Sequence, residues 1–237
     1  MTSRPEPAAA ALAAVRDAPD DRPFVVAQLG QSLDGRIATP TGESRWINGS
    51  SALDHVHRLR AAVDAVVVGV GTAVADDPML NVRRVPGRHP ARVVIDPNGR
   101  LPSGMQCLDG ADGVRRIVVR AADQRSDTSA GVEILTLARV NDQLSPRAIV
   151  EALYARGLKK LLIEGGASTV SAFIDAGAVD RLHVLVAPMI LGSGKTGLSL
   201  NPIEKLSDAI RPATGVHLLD DGDVLFDCDL RCDKMEG

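Results

Sequence analysis

Aromatic side chains are almost absent from this sequence: one Trp, one Tyr and three Phe make up 2% of its 237 residues. Any core must therefore be packed with Val, Leu, Ile and Ala, and 45% hydrophobic content is enough to build one. An excess of one charge sign is missing too. Arginines are interspersed with Asp and Glu, the net charge is −3, and no basic footprint for nucleic acid is present. No apolar run is long enough to span a membrane. The apolar stretch 8–15 is short, lacks a basic leader and runs into Asp17, Asp20 and Asp21, so it reads as a frayed helix and not as a signal peptide. Cysteine is scarce: Cys107, Cys228 and Cys232 form no disulfide framework, so a reducing, cytoplasmic setting is expected. Cys228 and Cys232 have no His partner beside them, and no metal site is expected.

What the sequence does contain is a succession of short apolar runs separated by helical patterns. Ala65-Val66-Val67-Val68-Gly69-Val70, Arg92–Asp96, Arg116–Arg120 and Lys160–Ile163 read as parallel strands buried on both faces. Phe24–Gly30, Val132–Leu137 and Leu182–Val186 read as further strands. Helices are predicted from Ser50 or Ser51, as cap, to about Ala62; over Pro146–Arg156, with Pro146 in its first turn; and over Ala167–Asp175, closed by Gly177. Val216–Leu219 and Val224–Leu230 flank Asp220-Asp221-Gly222-Asp223 as an antiparallel hairpin. The expected fold class is α/β, a mixed, mainly parallel sheet flanked by helices. Residues 1–22, rich in Ala, Pro and Asp, are expected to be a flexible arm, and 23–237 a single domain.

Two strand ends carry glycine. Ile163-Glu164-Gly165-Gly166-Ala167-Ser168-Thr169 runs from a buried strand through two glycines into a helix, whose unpaired N–H groups suit a phosphate. A plain tight connection is the competing reading. Gly69-Val70-Gly71-Thr72 follows another strand. Two such ends on one sheet edge point to a dinucleotide more firmly than either alone. The G-x-G-x-x-G pattern is absent, so an ordinary Rossmann domain is not indicated.

Gln31-Ser32-Leu33-Asp34-Gly35-Arg36-Ile37-Ala38, Gly42–Ile47, His57-Arg58-Leu59-Arg60, Val68–Thr72, Ala75-Asp76-Asp77-Pro78 and Ile163–Gly166 together resemble the pyrimidine reductase family of riboflavin biosynthesis, in a stand-alone form. The resemblance implies a dihydrofolate-reductase-like fold and a homodimer. It also implies hydride transfer from NADPH to a ribosylaminopyrimidine 5′-phosphate. By resemblance, Gly30, Trp46, Gly71, Thr72, Asp76 and Gly165, Gly166, Ala167, Ser168 and Thr169 would contact NADPH, with Asn98 and Arg100 near its adenosine end. Ser44, Arg60, Leu80, Arg83 and Glu164 would contact substrate, as would Gln28, which stands where many bacterial members have Lys. Glu164 and Asp34 are the catalytic candidates, although Asp34, just before Gly35, also reads as a turn residue. Duller readings exist for others: Arg60 paired with Asp64 one helical turn on, Trp46 in the core. The H-x-E and P-C-x-x-C signature of zinc deaminases is absent. Two alternatives stay open, a reductase of a related pterin or pyrimidine and a nucleotide-binding protein without catalysis.

Overall fold

The computed structural model describes residues 8–124 and 130–231. The chain begins with α1 (Ala9–Arg16), β1 (Phe24–Ser32), β2 (Arg36–Ala38) and α2 (Ser50–Ala62). Next come β3 (Ala65–Gly69), α3 (Val70–Asp76), β4 (Ala91–Ile95), β5 (Arg116–Ala121) and β6 (Glu133–Leu137). A small ribbon, β7 (Arg139–Val140) with β8 (Gln143–Leu144), leads into α4 (Pro146–Tyr154), β9 (Lys160–Glu164) and α5 (Ala167–Asp175). The chain closes with β10 (Arg181–Ala187), β11 (Lys195–Thr196), β12 (Ala213–Leu218) and β13 (Val224–Asp229).

Nine strands form one sheet in the order β12-β13-β10-β1-β9-β3-β4-β5-β6. From β10 to β6 all neighbours are parallel, and β13 and β12 add an antiparallel edge. This is the mixed, mainly parallel sheet that the apolar runs predict, with the C-terminal hairpin where it was expected. Alternation along each strand divides the core in two. Val25, Ala27, Val67, Val93, Ile117, Leu161 and Ile163 pack beneath Ile149 and Leu153 of α4 and Val170 and Phe173 of α5. Phe24, Val26, Val66, Val68, Val94 and Leu162 face Leu12 and Val15 of α1, Leu59 of α2 and Ala73 of α3. Both faces are dry, and that is why the strands read as unbroken apolar runs.

Two local features depart from the sequence reading. Where residues 1–22 were expected to form a flexible arm, α1 is packed, with Ala11, Leu12 and Val15 at 0% exposure. The helix itself was legible over 8–15, but its packing was not: its small alanines allow close approach to Ala52 and Val56 of α2, a tertiary effect. The second is the start of α2, where neither Ser50 nor Ser51 caps the helix and Gly49 occupies the cap position. The donors are satisfied from the turn between β12 and β13. Asp223 Oδ2 accepts from Gly49 N at 2.9 Å, and Asp221 Oδ2 from Ser51 N at 2.6 Å. A side chain at Gly49 would collide with the Asp221 carboxylate. Cys232 lies outside the described residues.

Leu12→Ala tests whether α1 belongs to the core. Truncating a fully buried Leu should lower the unfolding free energy by about 2–5 kcal/mol, read as a reduced denaturation midpoint at unchanged m-value. A helix merely resting on the surface would leave the midpoint where it is.

Candidate active site

In open α/β sheets the crevice lies at the carboxyl ends of strands, where the connections diverge to opposite sides. Here β3 leads on to β4 and the β6 edge, while β9 leads over β1 to β10, so adjacent β3 and β9 define that point. A cleft of about 930 Å³ opens there. It is lined by the ends of β1 and β3, the turn after β9, the first turns of α3 and α5, and the ribbon of β2 and β11. Gly71 and Gly165 share this edge, as expected.

The turn after β9 explains its glycines. Gly165 and Gly166 both have positive φ, 68° and 64°, which side-chain-bearing residues adopt only with strain. A Cβ on Gly166 would lie 2.5 Å from Thr72 Oγ1, so the turn also needs glycine to seat α3 against it. No side chain caps α5. The N–H groups of Ala167 and Ser168 have no hydrogen-bond partner among the described residues, and both residues line the cleft. Two open amides at a helix N-terminus suit an anionic group such as a phosphate.

Of the expected cofactor contacts, Gly30, Gly71, Thr72, Asp76 and Gly165 to Thr169 line the cleft, as do the expected substrate contacts Gln28 and Ser44. Trp46 does not: it is 79% exposed, with φ at 71°, and it is not a core residue either. Asn98 also lies off the cleft lining, and its Oδ1 accepts from Arg139 Nη2 at 2.6 Å. Arg100 does line the cleft, and its guanidinium has no partner among the described residues. Nearby Asp96 is fully buried and occupied. It accepts from Arg100 N and Leu101 N, both at 2.9 Å, and pairs with Arg120 at 3.3 Å.

Arg60, Leu80, Arg83 and Glu164 form a second group beside the Gly165 turn. Arg60 does not pair with Asp64, whose carboxylate is taken by Arg88 and the amides of Lys159 and Lys160. Instead its fork grips Glu164, with Nη2 to Oε1 at 2.7 Å and Nε to Oε2 at 3.0 Å, and both residues are buried. Arg60 Nη1 donates to Asn81 O at 3.0 Å. Arg83 is exposed and spends one nitrogen on Asn81 Oδ1 at 2.9 Å, leaving most of its fork open. Leu80 is a core side chain held at φ 52°, off the cleft lining. Asp34 stands apart from the cleft lining. It accepts from the Ser32 hydroxyl and from the amides of Leu191 and Gly192, contacts that hold its carboxyl down at about 2. That makes it the anchor of a turn.

Several lining residues gave no sequence signal. Asn48, Lys195 and Thr196 reach the cleft, and Leu144, Ile149 and Phe173 supply an apolar wall. Asn48 is invisible locally because its orientation depends on Asp223 and Leu185, far along the chain.

Two expectations follow from the charged group. Arg60→Ala should destabilise by about 3–5 kcal/mol, because Glu164 is left buried without its partner. Arg60→Met with Glu164→Leu should recover most of that stability but not ligand binding, as read by denaturation and calorimetry side by side. The second concerns His57, whose Nδ1 accepts from Arg83 N at 3.1 Å. Burial and the Arg60, Arg83 and Arg84 charges push this imidazole down to about 4 from 6.5. The folded state resists a proton that the unfolded chain accepts, so stability present above pH 6.5 is lost progressively as pH falls toward 4. His57→Asn keeps an acceptor for Arg83 and should remove one proton's worth of that slope in pH-dependent melts.

Comparison with known proteins finds clear relatives. Residues 23–218 match the RibD C-terminal domain family. The 2,5-diamino-6-ribosylamino-4(3H)-pyrimidinone 5′-phosphate reductase of Methanothermobacter thermautotrophicus is 37% identical over 199 residues, covering 80% of this chain and 90% of that one. The riboflavin biosynthesis protein RibD of Actinobacillus pleuropneumoniae is 31% identical over 212 residues, 87% of this chain but 56% of that protein. Among solved structures, the bifunctional deaminase/reductase of Thermotoga maritima superposes with a TM-score of 0.74 at 29% identity, over 88% of this chain and 57% of that one. The chain thus spans about half the length of the bifunctional relatives it matches. With most of its length matched and an archaeal relative covered almost end to end, the chain belongs to the RibD C-terminal domain family.

Proposed function

We propose that this protein is an NADPH-dependent reductase of the riboflavin pathway, converting a ribosylaminopyrimidine 5′-phosphate to its ribitylamino form. The observation that carries the reading is the cleft itself. Two glycine-bearing strand ends, an uncapped helix N-terminus and an arginine unpaired among the described residues border one cleft of ligand-binding size. The names of the archaeal and bacterial relatives support the substrate class.

The residues fit a nicotinamide dinucleotide. The open amides of Ala167 and Ser168, with Thr169 behind them, would hold the pyrophosphate. Discrimination for NADPH is supported at the adenosine end. A carboxylate that bonds a ribose 2′-hydroxyl marks NADH sites, but Asp96 is buried and spent on Arg100, Leu101 and Arg120. The free Arg100 guanidinium would meet a 2′-phosphate instead. When bound, the reduced nicotinamide supplies a hydride to C1′ of the open-chain imine form of the substrate. Arg83, with its fork largely open, would take the 5′-phosphate. Glu164, immobilised by Arg60, would orient the substrate's polar groups, and the apolar wall would exclude water. We read the enzyme as a cytoplasmic homodimer. Cys107 and Cys228 are buried free thiols, and edge strand β12 leaves Val216 and Leu218 exposed. No helix among the described residues is long and apolar enough to cross a membrane.

The direct test follows loss of reduced-nicotinamide absorbance with the diaminopyrimidinone and aminouracil ribosyl phosphates. Oxidation of NADPH dependent on one of them is expected; no oxidation with either would overturn the reading. Arg100→Ala should weaken NADPH binding by roughly ten- to hundredfold, about 1.5–3 kcal/mol, and leave NADH binding almost unchanged. An equal loss for both cofactors would place the 2′-phosphate elsewhere.

A further inference from the structure

Gly30, at the end of β1, has an ordinary backbone conformation, so no turn requires it to be glycine. What requires it is Asn48, because a Cβ on Gly30 would collide with Asn48 Oδ1. Asn48 itself is pinned. Its Nδ2 donates to Leu185 O at 3.2 Å and to Asp223 Oδ2 at 3.1 Å. Both partners are oxygens with lone pairs to offer, a carbonyl and a carboxylate, so the amide nitrogen must face them. Its two N–H bonds are used, and the carbonyl oxygen is turned over Gly30 at the cleft. The neighbouring Gln28 carboxamide, also on the cleft lining, has no hydrogen-bond partner among the described residues.

A fixed carbonyl oxygen accepts and cannot donate. A ligand carbonyl or phosphate oxygen placed there would meet it oxygen to oxygen, whereas an N–H group would satisfy it. The neighbours of Asn48 on the lining, Gln28, Leu29, Gly30 and Ile47, are all uncharged.

We propose that Asn48 is a specificity-determining residue that selects an uncharged N–H donor on the bound ligand, with Asp223 as the positioning residue that aims it. This rests on the reductase reading of the cleft. In that reading two groups offer the required chemistry: the carboxamide of the nicotinamide and the exocyclic amine of an undeaminated pyrimidine.

The test compares wild type with Asn48→Leu, and with Asn48→Ala should the leucine variant melt early. One arm measures Kd for NADPH and for its 3-acetylpyridine analogue, which lacks the amide N–H. The other measures kcat/KM for the 2,5-diaminopyrimidinone and 5-aminouracil substrates, which differ by an amine or a carbonyl at one ring carbon. In one arm wild type should prefer the N–H-bearing ligand by roughly tenfold, and the variant should shrink that preference to within about twofold. The arm that responds identifies the source of the donor. Absence of a preference in both arms, or a preference that survives in a folded variant, overturns the proposal. The cofactor arm needs no turnover, so a wild type that binds NADPH but reduces neither substrate would fail the reductase reading separately.

Discussion

The ion pair between Arg60 and Glu164 holds the site end of this molecule together. Glu164 is the last residue of β9, directly before the Gly165-Gly166 turn, and Arg60 lies near the end of α2. The same guanidinium reaches Asn81 O, so one side chain ties the helix, the strand end and the segment carrying Leu80 and Arg83. Buried ion pairs add little net stability, since desolvation offsets most of the attraction. The pair is better understood by what it positions. Two consecutive glycines with positive φ form a soft connection, and anchoring its first residue in a bidentate fork sets the direction in which the open amides of α5 point.

The parts of this architecture that were legible in the sequence are those governed by local rules. The run Ala65–Gly69 reads as a strand because both its faces are buried, and the glycines of residues 165 and 166 read as a turn because glycine takes positive φ without strain. The parts that were not legible depend on residues distant in the chain. The i+4 rule offered Asp64 to Arg60, but Asp64 points its carboxylate at the entry of β9 and the true partner lies 104 positions away. Ser50 and Ser51 looked like caps, yet the turn from Asp221 to Asp223 performs that task from the far end of the chain. The family pattern named Trp46 and Leu80, and neither lies on the cleft lining: Trp46 is exposed and Leu80 is a core side chain.

The cleft lining carries few charged groups among the described residues. The open N-terminus of α5 and the free guanidinium of Arg100 make one region attractive to phosphates. Asp76 is the only carboxylate on the described lining, and it faces no arginine or lysine partner. An anion is therefore repelled from its vicinity, while sugar hydroxyls can donate to it. The floor at Gln28, Gly30 and Asn48 is uncharged and rich in amide groups, which suits a neutral ring substituent. On the proposed reading, phosphates held by α5 and Arg100 would leave the uncharged nicotinamide end for the amide floor. Asp223 ties this floor to the start of α2, accepting from Asn48 Nδ2 and from Gly49 N with the same carboxylate oxygen. The antiparallel edge of the sheet, remote from the glycine turns in sequence, is in this way part of the site.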